Sequence, residues 1–284
     1  MTDQPNAGMA EFWNGKGGEN WVSREARLEA SLRPFGQLAM VAGAIKEGQQ
    51  ILDIGFGCGD STIELAGKAG PEGSVHGVDI SVAMVEAAEK KATQKGVSNV
   101  SFECADAQIK PFPVDHYDLV FSRFGVMFFD NPISAFKNIY SALKPGGRLA
   151  FICWAPRNQN AWVGLPLQVV AKHLTLPAPP GPEEPGPFSL SEELRVNSIL
   201  GAAGFANIAV EPYQIPFVLG GDVDEALSFL MQLAPSGGAI NNAEADQETR
   251  ARIALDMADL LKSHANNKGV SMGATALLVT ADKA

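Results

Sequence analysis

The chain has 284 residues, 46% hydrophobic and 19% charged, a globular composition long enough to bury a sizeable core in one elaborated domain. A formal net charge of −10, with no Lys/Arg cluster to track phosphates, argues against a nucleic-acid substrate. No apolar run approaches the roughly 20 residues that cross a bilayer, and Met1-Thr2-Asp3-Gln4-Pro5 has neither the basic start nor the apolar stretch of a signal peptide. The expected compartment is the cytoplasm, where Cys58, Cys104 and Cys153, far apart and beside apolar runs, read as reduced, buried thiols.

Residues 1–48 read as a mostly helical cap, with Trp13 and Trp21 flanking the Gly-rich Asn14-Gly15-Lys16-Gly17-Gly18. Residues 49–154 alternate short Val/Ile/Leu runs with helices or crossovers, the pattern of a parallel sheet covered on both faces. Five strands are expected, near Gln50–Ile54, Ser74–Asp79, Val100–Cys104, Tyr117–Ser122 and Arg148–Trp154. Ser61 with Glu64 fits a capping box. Ser81 is placed to cap a helix that Gly96 ends, and Asn131-Pro132 reads as an N-cap followed by proline at the first helical position. Lys144-Pro145-Gly146-Gly147 predicts a tight turn into the fifth strand.

The alternation stops near Trp154. Residues 155–190, rich in proline (Pro177 to Pro182, Pro185 and Pro187), predict neither a helix nor a central strand but an ordered excursion or lid. A helix is expected over Ser191–Ala203, closed by Gly204, and an edge-type strand over Ile208–Phe217. Ile253, Met257, Leu260 and Leu261 recur at helical spacing, so 246–264 reads as an amphipathic helix before a last strand at Ala274–Thr280. Residues 155–284 are thus expected to supply lid segments and the last two strands of the same sheet. Segments 155–190 and 222–268 are long for plain connections, and the second carries Leu227, Phe229, Leu230, Met231 and Leu233, suited to an apolar cavity.

The chemistry is carried by Ile51-Leu52-Asp53-Ile54-Gly55-Phe56-Gly57-Cys58-Gly59-Asp60. A buried strand ends, glycines let the backbone turn and approach a ligand, and a helix begins. Ligands of open α/β sheets bind outside the carboxyl ends of the strands. A dinucleotide fingerprint would need a third glycine where Asp60 stands. Two more acids close later strands: Asp79 after Val75-His76-Gly77-Val78, and Asp106 in Cys104-Ala105-Asp106-Ala107. Carboxylates there can accept from ribose hydroxyls and from an adenine amino group.

The Asp-x-Gly-x-Gly-x-Gly register, followed in order by Phe112-Pro113, Tyr117-Asp118-Leu119-Val120-Phe121-Ser122 and Leu143-Lys144-Pro145-Gly146-Gly147-Arg148-Leu149, resembles the type-11 branch of class I S-adenosylmethionine-dependent methyltransferases, the group that contains ubiquinone and menaquinone biosynthetic enzymes. The resemblance is strong over about 50–154. It implies a doubly wound, Rossmann-like α/β fold with a seven-stranded sheet of order 3-2-1-4-5-7-6, the last strand antiparallel. It also implies S-adenosylmethionine as cofactor. Carried over by residue, Asp53 would orient the loop, Gly55, Phe56 and Gly57 would lie at the methionine portion, Asp79 would hold the ribose, Ile80 and Met84 would lie beside the adenine, Asp106 and Ala107 would read its edge, and the Ser122 carbonyl would face the amino acid tail. Phe56 departs from the smaller residue usual in the family.

Methyl transfer from a sulfonium is a direct displacement in which the protein supplies alignment. No obligatory nucleophile or metal is expected, and His173 is the one histidine retained as a candidate base. Arg123-Phe124-Gly125-Val126-Met127-Phe128-Phe129 follows the fourth strand, so Arg123 and Met127, with Trp13 and Trp21, are the expected substrate residues. The acceptor is expected to be a small, largely hydrophobic molecule. The alternatives are a non-catalytic adenosylmethionine-binding protein and an NAD(P)-dependent oxidoreductase.

Overall fold

Apolar runs that are buried along their whole length make the central strands of this protein. In β1 (Gln50–Ile54), Ile51, Leu52 and Ile54 are at most 2% exposed, as expected of a strand covered on both faces. The computed structural model describes residues 5–181 and 183–284, so Met1–Gln4 and Pro182 lie outside it. Ahead of β1 come α1 (Ala7–Asn14), α2 (Lys16–Ser23) and α3 (Glu25–Ala42). The α/β alternation follows as α4 (Asp60–Ala69), β2 (Ser74–Asp79), α5 (Val82–Lys95), β3 (Val100–Cys104), β4 (Tyr117–Arg123), α6 (Pro132–Ala142) and β5 (Leu143–Trp154). The remainder is α7 (Ala161–Ala171), α8 (Glu193–Ala203), β6 (Ala206–Gly220), α9 (Val223–Gln232), α10 (Pro235–Asn242), α11 (Gln247–Lys262), β7 (Ala265–Asn266) and β8 (Gly269–Asp282).

The sheet order is β3-β2-β1-β4-β5-β8-β6, with the two-residue β7 paired to β8 off this path. Setting β7 aside, this is the expected order, and β8 runs antiparallel to β5, from Arg148↔Asp282 to Trp154↔Ala276. The first four strands pair in parallel, with Ile54 opposite Val78, Asp79 opposite Cys104 and Asp53 opposite Phe121. Their carboxyl ends therefore open on one edge, which brings Gly55, Asp79, Asp106 and Arg123 together from four chain segments.

The chain divides into two compact units. One takes in Met1–Trp154, Pro182–Tyr213 and Ala276–Ala284, the other Ala155–Gly181 and Gln214–Thr275. In the first, α3 buries Leu28, Leu32, Phe35, Ala39 and Met40, and Phe35 meets Phe124 and Trp154 edge-on. In the second, Trp162 stacks on Phe217 at 4.3 Å between ring centroids, and Ile253, Met257 and Leu261 are buried along α11. Phe229 and Leu230 of α9 are buried as well. Among the described residues no helix is long and apolar enough to cross a membrane.

Three local expectations are corrected. The Ser61/Glu64 capping box does not form: α4 starts from Gly59 at φ +83° with no side-chain cap, because the Ser61 hydroxyl donates to Asp53 at 2.9 Å. Ser81 caps no backbone group either, since its hydroxyl donates to the Trp13 carbonyl at 2.8 Å. The segment after Trp154 does contain a helix, α7, which accommodates Pro166 while burying Trp162, Val163, Val169 and Val170. Asn131 caps α6 as expected, accepting from the Ser134 N–H at 3.0 Å. The Lys144–Gly147 turn bulges within a longer β5, whose pairing with β4 jumps from Tyr117↔Leu143 to Leu119↔Arg148.

Candidate functional site

The loop after β1 is shaped by glycines in the left-handed region, where a side chain is strained. Gly55 has φ +68° and Gly57 φ +61°. A Cβ on Gly55 would lie 2.6 Å from the Gly125 Cα, so two backbones cross there. A Cβ on Gly57 would meet only the Trp21 indole nitrogen, at 3.4 Å, so the top of this loop faces open space under an aromatic ring.

Behind the loop, Asp53 is fully buried. One of its oxygens accepts from Ser61 (2.9 Å) and Thr62 (2.8 Å), tying β1 to the start of α4. Its other oxygen has no hydrogen-bond partner among the described residues. Burial pushes the carboxyl up to about 6 in spite of the two hydroxyl donors. Ser122 donates to the Ile54 carbonyl at 2.7 Å and accepts from the Gly125 N–H at 3.2 Å, lashing the ends of β1 and β4 together.

In front of the loop lies a cleft of ≈ 680 Å³ of empty volume, open on one side. Asp79 stands on its wall. One carboxylate oxygen accepts from the Gly57 N–H and the other from the Ser81 N–H, both at 2.9 Å. Burial nonetheless raises its pKa to about 6. Asp106 accepts with one oxygen from the Gln108 N–H (2.9 Å) and from Asn6 Nδ2 (3.2 Å). Its second oxygen is buried without a partner among the described residues. A buried acceptor left unmade costs free energy, so this oxygen calls for a donor that a ligand brings.

Among the residues expected from the sequence, Gly55, Gly57, Asp79, Ile80, Met84, Asp106, Ala107, Trp13, Trp21 and Arg123 all line this cleft. Asp53, Phe56, Ser122 and Met127 do not. Phe56 turns its ring onto Phe102 (5.0 Å between centroids), beside Val85 and Ala88, so it packs the loop from behind. Met127 is buried, and its carbonyl accepts from the Gly186 N–H and the Ser189 hydroxyl. Arg123 is ion-paired with Glu29 at 2.7 Å. His173 lies in the second unit, 2.9 Å from Asp256.

Phe124, Gly125, Phe128 and Phe129, from the aromatic segment that follows the fourth strand, also line the cleft, as do Asn6, Met9, Ile54, Val78 and Ala105, which sequence reasoning missed. Phe124 takes φ +59°, an outlier for an aromatic residue. The N-terminal helices reach the cleft through Asn14, whose amide donates to the Ile80 carbonyl and accepts from the Val82 N–H, both at 3.0 Å. Trp13 stands edge-on to Trp21 (5.7 Å) and to Phe128 (5.2 Å).

Glycine loop, the two carboxylates and the strand ends thus meet at one edge of a Rossmann-like sheet. Residues 51–147 match the family described as a methyltransferase domain. Over 118 residues the chain is 36% identical to the aklanonic acid methyltransferase DauC of Streptomyces sp. strain C5, which covers 42% of this chain and 54% of the relative. Over 129 residues it is 38% identical to the ubiquinone/menaquinone biosynthesis C-methyltransferase UbiE of Pseudomonas aeruginosa, covering 45% and 50%. The chain therefore spans about half the length of these relatives. Its fold is similar to that of YcgJ from Bacillus subtilis, with a TM-score of 0.55 and 20% identity over 87% of this chain and 97% of that one. Over residues 51–147 the chain is therefore similar to class I S-adenosylmethionine-dependent methyltransferases.

Proposed function

We propose that the protein transfers the methyl group of S-adenosylmethionine to a small, largely hydrophobic molecule by direct displacement. The observation that carries this reading is the buried oxygen of Asp106, without a partner among the described residues, on the same cleft as Asp79, Gly55 and Gly57. Two carboxylates with acceptor capacity suit a ligand that brings hydroxyl and amino donors, and the space a Gly57 side chain would fill suits its close approach.

Asp79 would accept from the ribose hydroxyls. Asp106 and the Ala107 backbone would read the adenine edge, and Ile80 and Met84 would pack beside it. Gly55 and Gly57 would lie against the methionine portion, with Asp53 holding their loop from behind. Bound adenosylmethionine supplies an activated methyl group on a sulfonium. The rings of Trp13, Trp21, Phe124, Phe128 and Phe129 exclude water and present π faces that favour a cation. Alignment of this kind can contribute about 7–11 kcal/mol to the rate. The relatives are named for aklanonic acid and for ubiquinone and menaquinone biosynthesis. Those names, with the apolar walls, support a small hydrophobic acceptor.

The test is calorimetric titration with adenosylhomocysteine, adenosylmethionine and NAD, followed by transfer of a labelled methyl group to a panel of hydrophobic hydroxyl, carboxyl, amine and carbon acceptors. Binding of the two sulfur nucleosides, with indifference to NAD, is expected. Tighter binding of NAD overturns the reading. A protein that binds adenosylmethionine but methylates nothing in the panel is a binder and not the enzyme proposed.

A further inference from the structure

Asn6 stands at the N-cap of α1, where an asparagine side chain ordinarily caps the helix, yet it caps nothing there. Its backbone takes a left-handed φ of +62°, which asparagine tolerates better than most residues. The side chain turns instead to two loops at the carboxyl edge of the sheet. Its amide nitrogen donates to Asp106 Oδ1 at 3.2 Å, and its amide oxygen accepts from the Asp130 N–H at 3.0 Å. Gln108 spans the same gap. Its N–H donates to Asp106 Oδ1 at 2.9 Å, and its side-chain oxygen accepts from the Asn131 N–H at 2.8 Å. Asp106, Asn6, the Asp130-Asn131 backbone and Gln108 thus close a ring of hydrogen bonds.

We propose that Asn6 is a positioning residue that commits Asp106 to the 6-amino group of the nucleoside, so that the chain ahead of β1 sets base selectivity. The proposal rests on the cofactor reading above.

The orientation of the Asn6 amide is fixed by its partners, because an ionised carboxylate can only accept and a backbone N–H can only donate. Both donors of the ring fall on one Asp106 oxygen. The other oxygen is buried and has no partner among the described residues. It is therefore the oxygen left for a ligand. Without Asn6 the carboxylate would hang on the Gln108 N–H alone and could turn. Asn6 and Gln108 are only 8% and 5% exposed, so water competes poorly for the ring. A carboxylate held in this way favours a base that presents an amino group over one that presents an oxo group, whose lone pairs would face it.

The attachment of α1 points the same way. None of its residues is buried, so the helix is not held by a core of its own. It is tied down by the Asn6 bonds, by the Ser81 hydroxyl on the Trp13 carbonyl, and by Asn14 on Ile80 and Val82. All of these partners line the cleft or lie within two residues of one that does.

The test compares three ligands by calorimetry: adenosylhomocysteine, its inosine counterpart with an oxo group at position 6, and a purine counterpart with hydrogen there. Wild-type protein is expected to prefer adenosylhomocysteine to either at least about tenfold. Asn6→Gly removes the amide while glycine keeps the left-handed backbone free of strain. It should lower that preference at least about fivefold and leave the hydrogen counterpart within about twofold of wild type, which also shows that the variant is folded. Asn6→Asp keeps the acceptor for the Asp130 N–H but turns an acceptor toward Asp106, so it should lose the preference at least as fully. Gln108→Ala leaves both donors on Asp106 in place and should keep it. The proposal is overturned if Asn6→Gly retains wild-type selectivity, or if wild-type protein binds all three ligands equally. It is overturned as well if Gln108→Ala loses selectivity to the same extent, since the loop would then merely have loosened. If wild-type protein binds none of the three, the cofactor reading itself fails, and the proposal with it.

Discussion

Asp79 does two jobs at once in this protein. It holds the Gly57 and Ser81 N–H groups, and it is the carboxylate proposed to meet the ribose. Asp79→Ala therefore strands two backbone donors as well as losing ligand bonds, and adenosylhomocysteine affinity should fall about ten- to a hundredfold by calorimetry. Asp79→Asn keeps one acceptor and turns an amide donor toward the other N–H, so it should lose less than alanine but not match wild type. Protonation acts on the same group. Asp79 and Asp53 are raised to about 6, chiefly by burial, from an ordinary value of 3.8. A carboxyl whose folded pKa lies above its unfolded one stabilises the ligand-free fold below pH 4, and that contribution is lost as pH rises through about 6. Ligand hydroxyls on Asp79 favour the ionised form instead. Binding near pH 6 should therefore release protons, seen as a dependence of the measured heat on buffer ionisation enthalpy. The rise in Tm given by adenosylhomocysteine should shrink from pH 7 to pH 5. A pH-independent rise would remove Asp79 from the ribose.

The loop between β1 and α4 separates two roles for glycine that look alike in sequence. Gly55 is fixed by the fold: its Cβ would strike the Gly125 backbone, on top of a left-handed φ. Gly55→Ala should cost more than the roughly 1–2 kcal/mol of left-handed strain alone and should show as a large loss of Tm. Gly57 has room on the protein side, so Gly57→Ala should cost only that strain, a few degrees of Tm at this chain length, while cofactor binding is lost because the new methyl group projects into the cleft. If Gly57→Ala binds normally, the loop is merely a structural turn. The same loop shows where local rules yield. Ser61 has the spacing of a capping residue, but burial of Asp53 leaves a carboxylate that needs donors, and Ser61 and Thr62 go to it.

Across the whole molecule, Cys58, Cys104 and Cys153 are all free, and only Cys104 is exposed, which corrects the expectation of three buried thiols. Burial pushes the Cys58 thiol up to about 12 and raises Cys153 as well. One thiol should react quickly with an aromatic disulfide reagent in the native protein and three after denaturation, with Tm unchanged by reductant. The strands, their order and the acids at their ends were legible in the sequence because each is a local signal: an apolar run, a glycine where φ must be positive, a carboxylate one or two residues past a strand. Phe56 and Met127 could not be told from site residues by sequence, since spacing does not say whether a ring faces the ligand or the core behind it. Asn6 reaches Asp106 across 100 residues, and Glu29 of α3 meets Arg123 at the end of β4. No periodicity encodes such pairs. The sequence by itself determined the sheet, the glycine loop and the family resemblance, because those follow from hydrophobic period and backbone freedom. Which side chains share the cleft, which carboxylate oxygen lacks a partner and which acid Arg123 pairs with were decided only by the tertiary structure, because burial and partnership depend on segments that meet only once the chain has folded.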